Sequence, residues 1–586
     1  MRSPRALPLP LHVDTRRSLF WIPRRSQYSL IILTGVGVSI LFLAASYAEW
    51  TSHILSHPFH DPFRGPPPHH QEPWMRPERN VWQERAQTVK AAFRSAYASY
   101  ERTAYPHDEL TPMSNHHSDN LNGWGATLMD GIDTMILMQL DDLVEGALVH
   151  VSKLKLDRNT NVQFFETVIR YLGGLLSAYA LTRNTIYLTH ADELGMRLLP
   201  IFNTTSGLPP FSVNMHTGTG GMGWMGPLSI LSEFASCQME YRYLAHLTGR
   251  PEYVQTVDYI TKFLHENTEH GGLFPLLFAT SDGAPSSDRF SIGAQADSAY
   301  EYLLKEWLMT GKTEPHFLEM YLKSADAIIE NMLYVSPSRH LLYVTDVLRP
   351  SLRPVHDFQH LSCFLSGLFA LGAATIPDVD PRHAWAAEGL GHTCWITYAD
   401  TVTGLGPEMM VFPQNGTKWV DELAAWEQRG RQGVIPGVNE ATPVTEGEST
   451  EYRVVDSRYL LRPETIESFY IMWRTTGESK WRDRGWALFE GIENHAMLGT
   501  AYASLADVRR IPAPHTDELP SFFFAETLKY AYLLFTDEEL VPLSQWVFNT
   551  EAHPIPIFTW SETEKRLFNI RTPQGNKNST LLRHLP

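Results

Sequence analysis

Cysteine, basic side chains and long uncharged stretches are all scarce in this sequence of 586 residues. Three cysteines are too few for the disulfide framework of a small secreted domain. Lys and Arg number 48 against 65 Asp and Glu, which excludes a nucleic-acid backbone as the main partner, because that binding depends on clustered positive charge. With 43% apolar and 19% charged residues, the chain nevertheless has the composition of a large folded protein.

One stretch is long and apolar enough to cross a bilayer. Residues 26–48 carry no charge, and a helix of that length covers roughly 30 Å of hydrocarbon. Six arginines precede it and Glu49 follows it, so the positive end is expected to stay in the cytoplasm. We predict a cytoplasmic tail (1–25), an uncleaved signal anchor (26–48) and a lumenal remainder, in a single-pass type II protein. A cleaved signal peptide is the alternative.

The segments that flank the predicted catalytic region differ from it in composition. Residues 49–79 are rich in Pro and His, which is typical of an extended stem. Residues 557–586 form a C-terminal extension to which the sequence assigns no role. Three glycosylation acceptors fit a lumenal location, although such triplets also arise by chance, and they lie at Asn203, Asn415 and Asn578.

Residues 80–556 show apolar residues at helical spacing, in segments that resemble one another. Each segment has a helix that begins near an acid, then a turn, then a second helix. The first helices are Phe165–Thr182, Glu233–Thr248, Asp297–Thr310 and Glu464–Thr476. A repeat of this kind predicts helical hairpins, either in an open solenoid or in a closed ring.

The acids at the helix starts favour the closed ring. A carboxylate lies at or near the start of each apolar helix, and a closed ring would gather these groups at one end, whereas a solenoid would spread them. The residues are Glu166, Glu233, Asp297, Glu464 and Glu526. The alternative is that each acid only complements the dipole of its own helix, a contribution of about 0.3 to 1 kcal/mol.

Five motifs, in order along the chain, carry a family resemblance. They are Phe165-Glu166 with Gly173–Tyr179, Ala296–Lys305, Leu461–Ser468, Glu526–Tyr530 and Asn549–Pro554. Together they resemble the class I α-mannosidases, glycoside hydrolase family 47, from about Trp82 to Pro556.

The resemblance implies an all-α fold, an (αα)7 barrel of seven helical hairpins, and the transmembrane helix predicted from residues 26–48 would precede it. It also implies a Ca2+-dependent, inverting hydrolase that trims terminal α-1,2-linked mannose from high-mannose N-glycans in the endoplasmic reticulum or Golgi. We expect a monomer. Sequence alone does not choose a cysteine pair among three thiols, but the resemblance implies a disulfide between Cys363 and Cys394.

Roles are carried over at matching positions only. Glu464 matches the base that activates water, while Glu166 and Asp297 share the role of general acid. Thr550 matches the residue that holds the calcium ion. Positions that line the sugar site or anchor calcium-bound waters correspond to Arg170, Glu233, His360, Arg462, Glu467, Phe523, Glu526 and Glu551. Phe522 and Phe523 together suggest an aromatic surface beneath the terminal mannose.

Two departures from the family pattern affect what can be carried over. Gln295 stands where endoplasmic-reticulum members carry Arg and Golgi members a smaller apolar residue, so the preferred glycan branch stays open. Ala299 replaces an aromatic residue behind Asp297. The alternative functions are a quality-control relative of the same fold, which marks misfolded glycoproteins, and a non-catalytic glycan-binding protein or helical scaffold.

Overall fold

A computed structural model describes residues 77–570, except 439–440 and 446–447. The predicted cytoplasmic tail, the predicted anchor, most of the predicted stem and the Asn578 acceptor therefore lie outside the described residues. Among the residues that are described, no helix combines the length and the apolar character needed to cross a bilayer. The first helix begins at Pro77, within the last three residues assigned to the stem.

Helices dominate the described chain, and an all-α class is what it shows. Those of six or more residues are α1 Pro77–Thr103, α2 Ala126–Leu137, α3 Asp141–Val151, α4 Gly173–Thr182, α5 Thr185–Leu198, α6 Gln238–Thr248, α7 Pro251–Glu266, α8 Asp297–Met309, α9 Pro315–Asn331, α10 Phe364–Thr375, α11 Arg382–Ala399, α12 Trp419–Gln428, α13 Glu464–Thr476, α14 Ser479–His495, α15 Leu528–Phe535 and α16 Glu562–Leu567. Short helical turns at Phe164–Glu166 and Leu231–Phe234 precede α4 and α6, and π-helical turns at Thr167–Leu172 and Phe523–Thr527 lead into α4 and α15.

The helices pack in pairs of one buried and one outer helix; six pairs are hairpins of helices that follow each other in the chain, and the seventh joins α15 to α1. The buried members are α2, α4, α6, α8, α10, α13 and α15, and they pack against α3, α5, α7, α9, α11, α14 and α1 respectively. α10 is buried along nearly its whole length, whereas α7 alternates buried and exposed residues as an amphipathic surface helix does. Turns between the partners match the predicted positions, with Gly249 and Gly477 in left-handed conformation (φ +73° and +74°).

The buried helices contact one another in cyclic order. α2 touches α4, and the contacts continue through α6, α8, α10 and α13 to α15. The π-helical turn before α15 then packs on α2, where the Thr134 hydroxyl donates to the Phe524 carbonyl at 2.9 Å. Contacts of this kind describe a closed ring and not an open array.

Short antiparallel strands connect the hairpins. They are β1 Glu109–Thr111, β2 His116–Ser118, β3 Asn161–Gln163, β4 Ser212–Asn214, β5 Gly220–Gly221, β6 Leu228–Ile230, β7 Leu277–Ala279, β8 Arg289–Phe290, β9 Leu333–Val335, β10 Leu342–Val344, β11 Val347–Leu348, β12 Arg353–Pro354, β13 Asp357–Gln359, β14 Met409–Val411, β15 Thr417–Lys418, β16 Arg453–Asp456, β17 Met497–Leu498, β18 Ala501–Tyr502, β19 Trp546–Phe548 and β20 Pro554–Pro556. The hairpin β19–β20, paired Trp546 to Pro556 and Phe548 to Pro554, contacts both α4 and α8, so its turn lies against the buried helices.

Two local features tie the outer elements to the ring. Cys363 and Cys394 form a disulfide between the start of α10 and α11, with Cα atoms 6.0 Å apart. Asp400, after α11, accepts hydrogen bonds from the Val444 backbone N–H at 2.9 Å and the Tyr452 hydroxyl at 3.0 Å. These two bonds fix Val444 and Tyr452, in the polar segment of residues 430–452 before α13, to the outer layer.

α2 and α4 approach each other closely at Gly174, so a larger residue at this position should destabilise the protein. A Cβ atom there would lie 2.4 Å from the Met129 carbonyl oxygen, so Gly174→Ala must push the two helices apart. We expect a loss of about 1 to 3 kcal/mol in the free energy of unfolding, measured by urea denaturation. Gly146→Ala is the matched control: nothing lies within 4 Å of its Cβ position, and the change should be neutral or stabilise α3 by up to ~1 kcal/mol. Equal effects of the two changes would contradict the packing described.

Candidate active site

A cavity of about 290 Å³ lies where several buried helices begin. All five carboxylates that the sequence predicts to converge line it: Glu166, Glu233, Asp297, Glu464 and Glu526. Arg170, Arg462, Thr550 and Glu551 also line it, as do Phe522, Trp224 and Gln295. Asp297 and Glu464 are the first residues of α8 and α13, whereas Glu526 lies in the π-helical turn before α15. The acids therefore come from different hairpins, as a site built around one ligand requires.

Arg170 holds three acids from three parts of the chain. Its Nε donates to Glu166 at 2.6 Å and its Nη1 to Asp130 of α2 at 3.1 Å, and the same nitrogen donates to Glu551 on the β19–β20 turn. Burial would raise the pKa of Asp130, but the charges of Arg170 and His553 lower it to about 2. The guanidinium thus keeps buried negative charge at one wall of the cavity.

Glu464 is ionised by its neighbours. Burial alone would raise its pKa, but a hydrogen bond from His360 Nδ1 at 2.9 Å and the charges of His360 and Arg462 lower it below the usual value. A carboxylate can only accept, so His360 donates from Nδ1, and its Nε2 forms a second hydrogen bond with the Tyr398 hydroxyl. Arg462 is fixed in turn by Glu408, whose two oxygens accept from its Nε at 2.7 and 2.9 Å.

Asp297 has the opposite electrostatic environment. Burial raises its pKa to about 7, and the charges of Glu301 and Glu464 act in the same direction, against hydrogen bonds from Ser298. Burial likewise raises the pKa of Glu233 to about 7, helped by the charge of Glu166. Near neutral pH about half of the Asp297 and Glu233 carboxyl groups therefore carry a proton, whereas Glu464 does not.

The β19–β20 turn presents oxygen atoms to the cavity on a rigid frame. Asn549 Oδ1 accepts from the backbone N–H groups of Glu551 at 3.0 Å and His553 at 2.8 Å. Lys529 Nζ donates to the Ala552 carbonyl at 2.6 Å, and Ala552 itself has a left-handed backbone (φ +58°). Thr550 is held between these fixed residues and lines the cavity, so this turn is the candidate position for a hard cation.

A buried ion network supports that turn from beneath. His553 Nδ1 lies 2.8 Å from Asp133 and its Nε2 3.2 Å from Asp130, while Lys529 pairs with Asp133 at 2.9 Å. All four side chains are fully buried or nearly so. Gly173 leaves room for the network, because a Cβ there would lie 2.8 Å from the His553 ring.

Several predicted site residues lie behind the cavity and not on it. His360 contacts Glu464 as described, and Glu467 is buried near Lys305 (4.0 Å) with the Tyr530 hydroxyl at 3.4 Å. Phe523 was predicted to contact substrate, and this is corrected: its buried ring packs on Tyr502 and Phe524, with centroids 5.0 and 5.8 Å away.

Phe522 supplies the aromatic surface instead. It lines the cavity with the guanidinium groups of Arg170 and Arg462 at 5.8 and 5.9 Å from its ring centroid. The disulfide Cys363–Cys394 lies outside the cavity lining, and Asn203 and Asn415 are exposed, as glycosylation requires.

Other residues of the site were not assigned a role from sequence. Glu408, Lys529 and His553 act through pairing partners 54 to 423 positions away, and no local spacing indicates such pairs. The contacts of Asp130 with Arg170 and of Asp133 with His553 likewise join distant positions and could not be predicted from the sequence. Trp224, 68% exposed at the cavity rim, lies in a Gly-rich loop that gave no signal.

Comparison with known proteins gives consistent matches over the same region. The model of glycosyl hydrolase family 47 matches residues 92–557. Mannosyl-oligosaccharide alpha-1,2-mannosidase IA of Drosophila melanogaster is 38% identical over 484 residues, 81% of this chain and 68% of that protein. Endoplasmic reticulum mannosyl-oligosaccharide 1,2-alpha-mannosidase of Mus musculus is 36% identical over 81% of this chain and 68% of that protein. The solved alpha-1,2-mannosidase from Trichoderma reesei superposes with a TM-score of 0.71 at 32% identity, covering 81% of this chain and 99% of that one.

The contrast between the two acids predicts a titration near neutral pH. In metal-free protein the Asp297 carboxyl should lose its proton as the pH rises through about 7, because burial stabilises its neutral form. The protonated carboxyl of Asp297 gives an infrared carbonyl band that the Asp297→Asn variant lacks. In the wild type this band should disappear as the pH rises through about 7. Glu464→Gln should move the loss to lower pH, because the Glu464 charge helps to raise the pKa of Asp297. A difference band that titrates near pH 4 in the wild type would contradict the assignment.

Proposed function

This chain belongs to glycosyl hydrolase family 47 and is a glycoside hydrolase, and from that premise we propose its reaction. It removes terminal α-1,2-linked mannose from high-mannose N-glycans, with calcium and with inversion at the anomeric carbon. Relatives named for α-1,2-mannosidase activity on mannosyl-oligosaccharides support the substrate. The observation that carries the mechanism is the pair of acids, Asp297 and Glu464, whose pKa values are driven apart at one cavity.

Glu464 is proposed as the general base. His360 donates to one of its oxygens at 2.9 Å, and the other, 3.9 Å from Arg462 Nη1 and thus beyond hydrogen-bond distance of it, can take a proton from the attacking water. An inverting hydrolase needs two carboxyl groups about 6.5 to 9.5 Å apart, so that a water fits between the base and the anomeric carbon. Acids on different helices can meet that separation, whereas two acids on one helical turn cannot.

Asp297 is the better supported proton donor of the two candidates. A carboxyl whose pKa is about 7 carries its proton in about half of the molecules at neutral pH and can transfer it to the departing glycosidic oxygen. Glu166 has one oxygen engaged by Arg170 Nε at 2.6 Å, so its proposed role is to orient the leaving sugar or a water beside Asp297.

The residues at the β19–β20 turn fit calcium. The hydroxyl and carbonyl oxygens of Thr550 would hold the ion, and Glu526 and Glu551 would order its waters, an all-oxygen set that a hard cation prefers. When bound, the ion would grip vicinal hydroxyls of mannose and favour a distorted ring. Phe522 offers a flat surface to the same sugar, and the exposed indole of Trp224 can stack on the next residue of the glycan.

The finer architecture and location are proposals of the same kind. The seven contacting helix pairs correspond to the (αα)7 barrel, and residues 26–48 would anchor the chain in an endoplasmic-reticulum or Golgi membrane with residues 80–556 in the lumen. The Cys363–Cys394 disulfide supports an oxidising compartment. A mouse relative named for the endoplasmic reticulum supports the secretory pathway. We propose that the chain acts as a monomer.

The proposed reaction predicts both a product and a variant effect. A high-mannose glycan with nine mannose residues should release mannose that is first the β anomer, observed by proton NMR before mutarotation. Glu464→Gln should lower kcat by about 100-fold or more with glycan binding retained, because the water loses its base. Glu490→Gln, on the exposed face of α14, is the matched control and should keep wild-type turnover.

Three results would contradict the proposal. Release of α-mannose would refute inversion, and tight glycan binding without cleavage by the wild type would favour a binding-only protein. Equal turnover of Glu464→Gln and Glu490→Gln would remove Glu464 as the base.

Calcium removal gives a separate prediction. Chelation should abolish turnover and lower the melting temperature, because an ion that binds only the folded state adds to its stability. Ca2+ should restore both, whereas Mg2+ should not, because its smaller octahedral shell suits the site poorly. Thr550→Ala should lose the calcium-dependent rise in melting temperature, and the exposed Thr559→Ala should keep it. A wild-type chain that chelators leave unchanged would exclude calcium.

A further inference from the structure

Three side chains beside the β1–β2 hairpin form a group unrelated to the cavity lining. His107, His117 and Asp119 each offer a nitrogen or oxygen atom, and these atoms lie within 4.8 Å of one another. In the described part of the chain no other group of three His, Cys, Asp or Glu side chains meets that distance. The role of these residues is not explained by the proposed hydrolysis.

The backbone holds this group in place. β1 and β2 pair antiparallel with Glu109 opposite Ser118 and Leu110 opposite His117, so Asp119, which follows β2, lies beside Asp108, which precedes β1. Asp119 Oδ1 accepts from the Asp108 backbone N–H at 3.2 Å, and its Oδ2 accepts from His107 Nδ1 at 2.8 Å. The His107 and His117 rings lie 3.5 Å apart and nearly parallel, at 9°. Two imidazoles and a carboxylate thus meet before any ligand is present.

We propose that His107, His117 and Asp119 bind one Zn2+ ion, at a site separate from the proposed calcium site. Two imidazole nitrogens and one carboxylate oxygen suit zinc, which takes four ligands in a tetrahedron and can complete its shell with water. Calcium needs six to eight oxygen ligands, so this site discriminates against it. His107 is partly buried, while His117 and Asp119 are exposed, so an ion can enter from solvent.

Rotation of one ring and a small separation of two atoms bring the group to zinc geometry, because the stacked rings now hold their in-plane nitrogen lone pairs in parallel planes that do not meet. Bonds of about 2.0 to 2.1 Å in a tetrahedron separate ligand atoms by roughly 3.3 Å. The 2.8 Å separation of His107 Nδ1 and Asp119 Oδ2 therefore opens by about half an ångström as the ion takes the place of their shared proton, which passes to solvent. The exposed His117 ring rotates to turn a nitrogen toward the ion.

Zinc at this position would brace the segment that enters α2. Asp119 begins the turn in which the Asp108 carboxylate accepts from the backbone N–H groups of Gly123, Trp124 and Gly125 at 2.7 to 3.1 Å. α2, which follows at once, carries the Asp130 that binds Arg170. The ion would cross-link the β1–β2 hairpin to this segment.

The test measures zinc binding by calorimetry on the full chain without an affinity tag, in excess Ca2+. Five histidines between residues 53 and 70 could also bind zinc, so they are first replaced by Gln. We expect one equivalent of Zn2+ with a dissociation constant in the micromolar range. His117→Ala and Asp119→Ala should each weaken binding at least tenfold. Co2+ in place of Zn2+ should give the visible absorption of a tetrahedral site, lost in His117→Ala.

His216→Ala is the matched control. His216 Nδ1 lies 2.8 Å from Asp157, the same His–Asp pair as His107 and Asp119, but without a second histidine. The His216→Ala substitution should leave the affinity for zinc unchanged. All variants should keep wild-type turnover in Ca2+, and that turnover also shows that they are folded. The proposal would be overturned if His117→Ala bound zinc with unchanged stoichiometry and affinity. It would also be overturned if the chain that carries only the five His-to-Gln replacements bound no equivalent of Zn2+.

Discussion

The pairing of Arg170 with one acid four residues before it and with two acids from distant segments is the interaction on which the rest of the site depends. Several carboxylates cannot be brought to one buried cavity unless positive charge and hydrogen bonds offset their loss of hydration. Arg170 provides this for Glu166, Asp130 and Glu551. Because each of these acids comes from a different element, the guanidinium also aligns α2, the start of α4 and the β19–β20 turn. The same cation therefore joins stability and site geometry.

A second set of charges gives the two reactive acids, Glu464 and Asp297, different pKa values. Glu464 is surrounded by His360 and Arg462, which favour its anion, and Arg462 is itself held by Glu408. Asp297 has no cation paired with it among the described residues, and burial keeps it neutral. One ring of helices thus provides two environments a short distance apart, and the chemical difference between two similar side chains arises from their neighbours alone.

The sequence predicted the hairpins, the helix that begins at Glu464 and the family itself. The structure has that helix, and the match to residues 92–557 confirms the family. These features are local, because apolar spacing, a turn residue and a motif can be read within a few positions. The supporting pairs could not be predicted in this way, since Lys529 meets Asp133 only after the ring has closed. The error at Phe523 has a geometric cause. A π-helical turn winds more slowly than an α-helix, so residues three apart leave a common face while residues four apart keep it, and Phe522, not Phe523, shares the face of Glu526.

Closure of the ring has a consequence for biosynthesis. α1 and α2 are made first, yet they pack on α15 and on the turn before it, and Thr134 meets Phe524 across 390 positions. At about 5 to 20 residues per second, ribosomes need roughly 20 to 80 seconds to supply that partner. During this interval the apolar faces of the earliest helices are exposed, and the nascent polypeptide depends on chaperones until its final hairpin emerges.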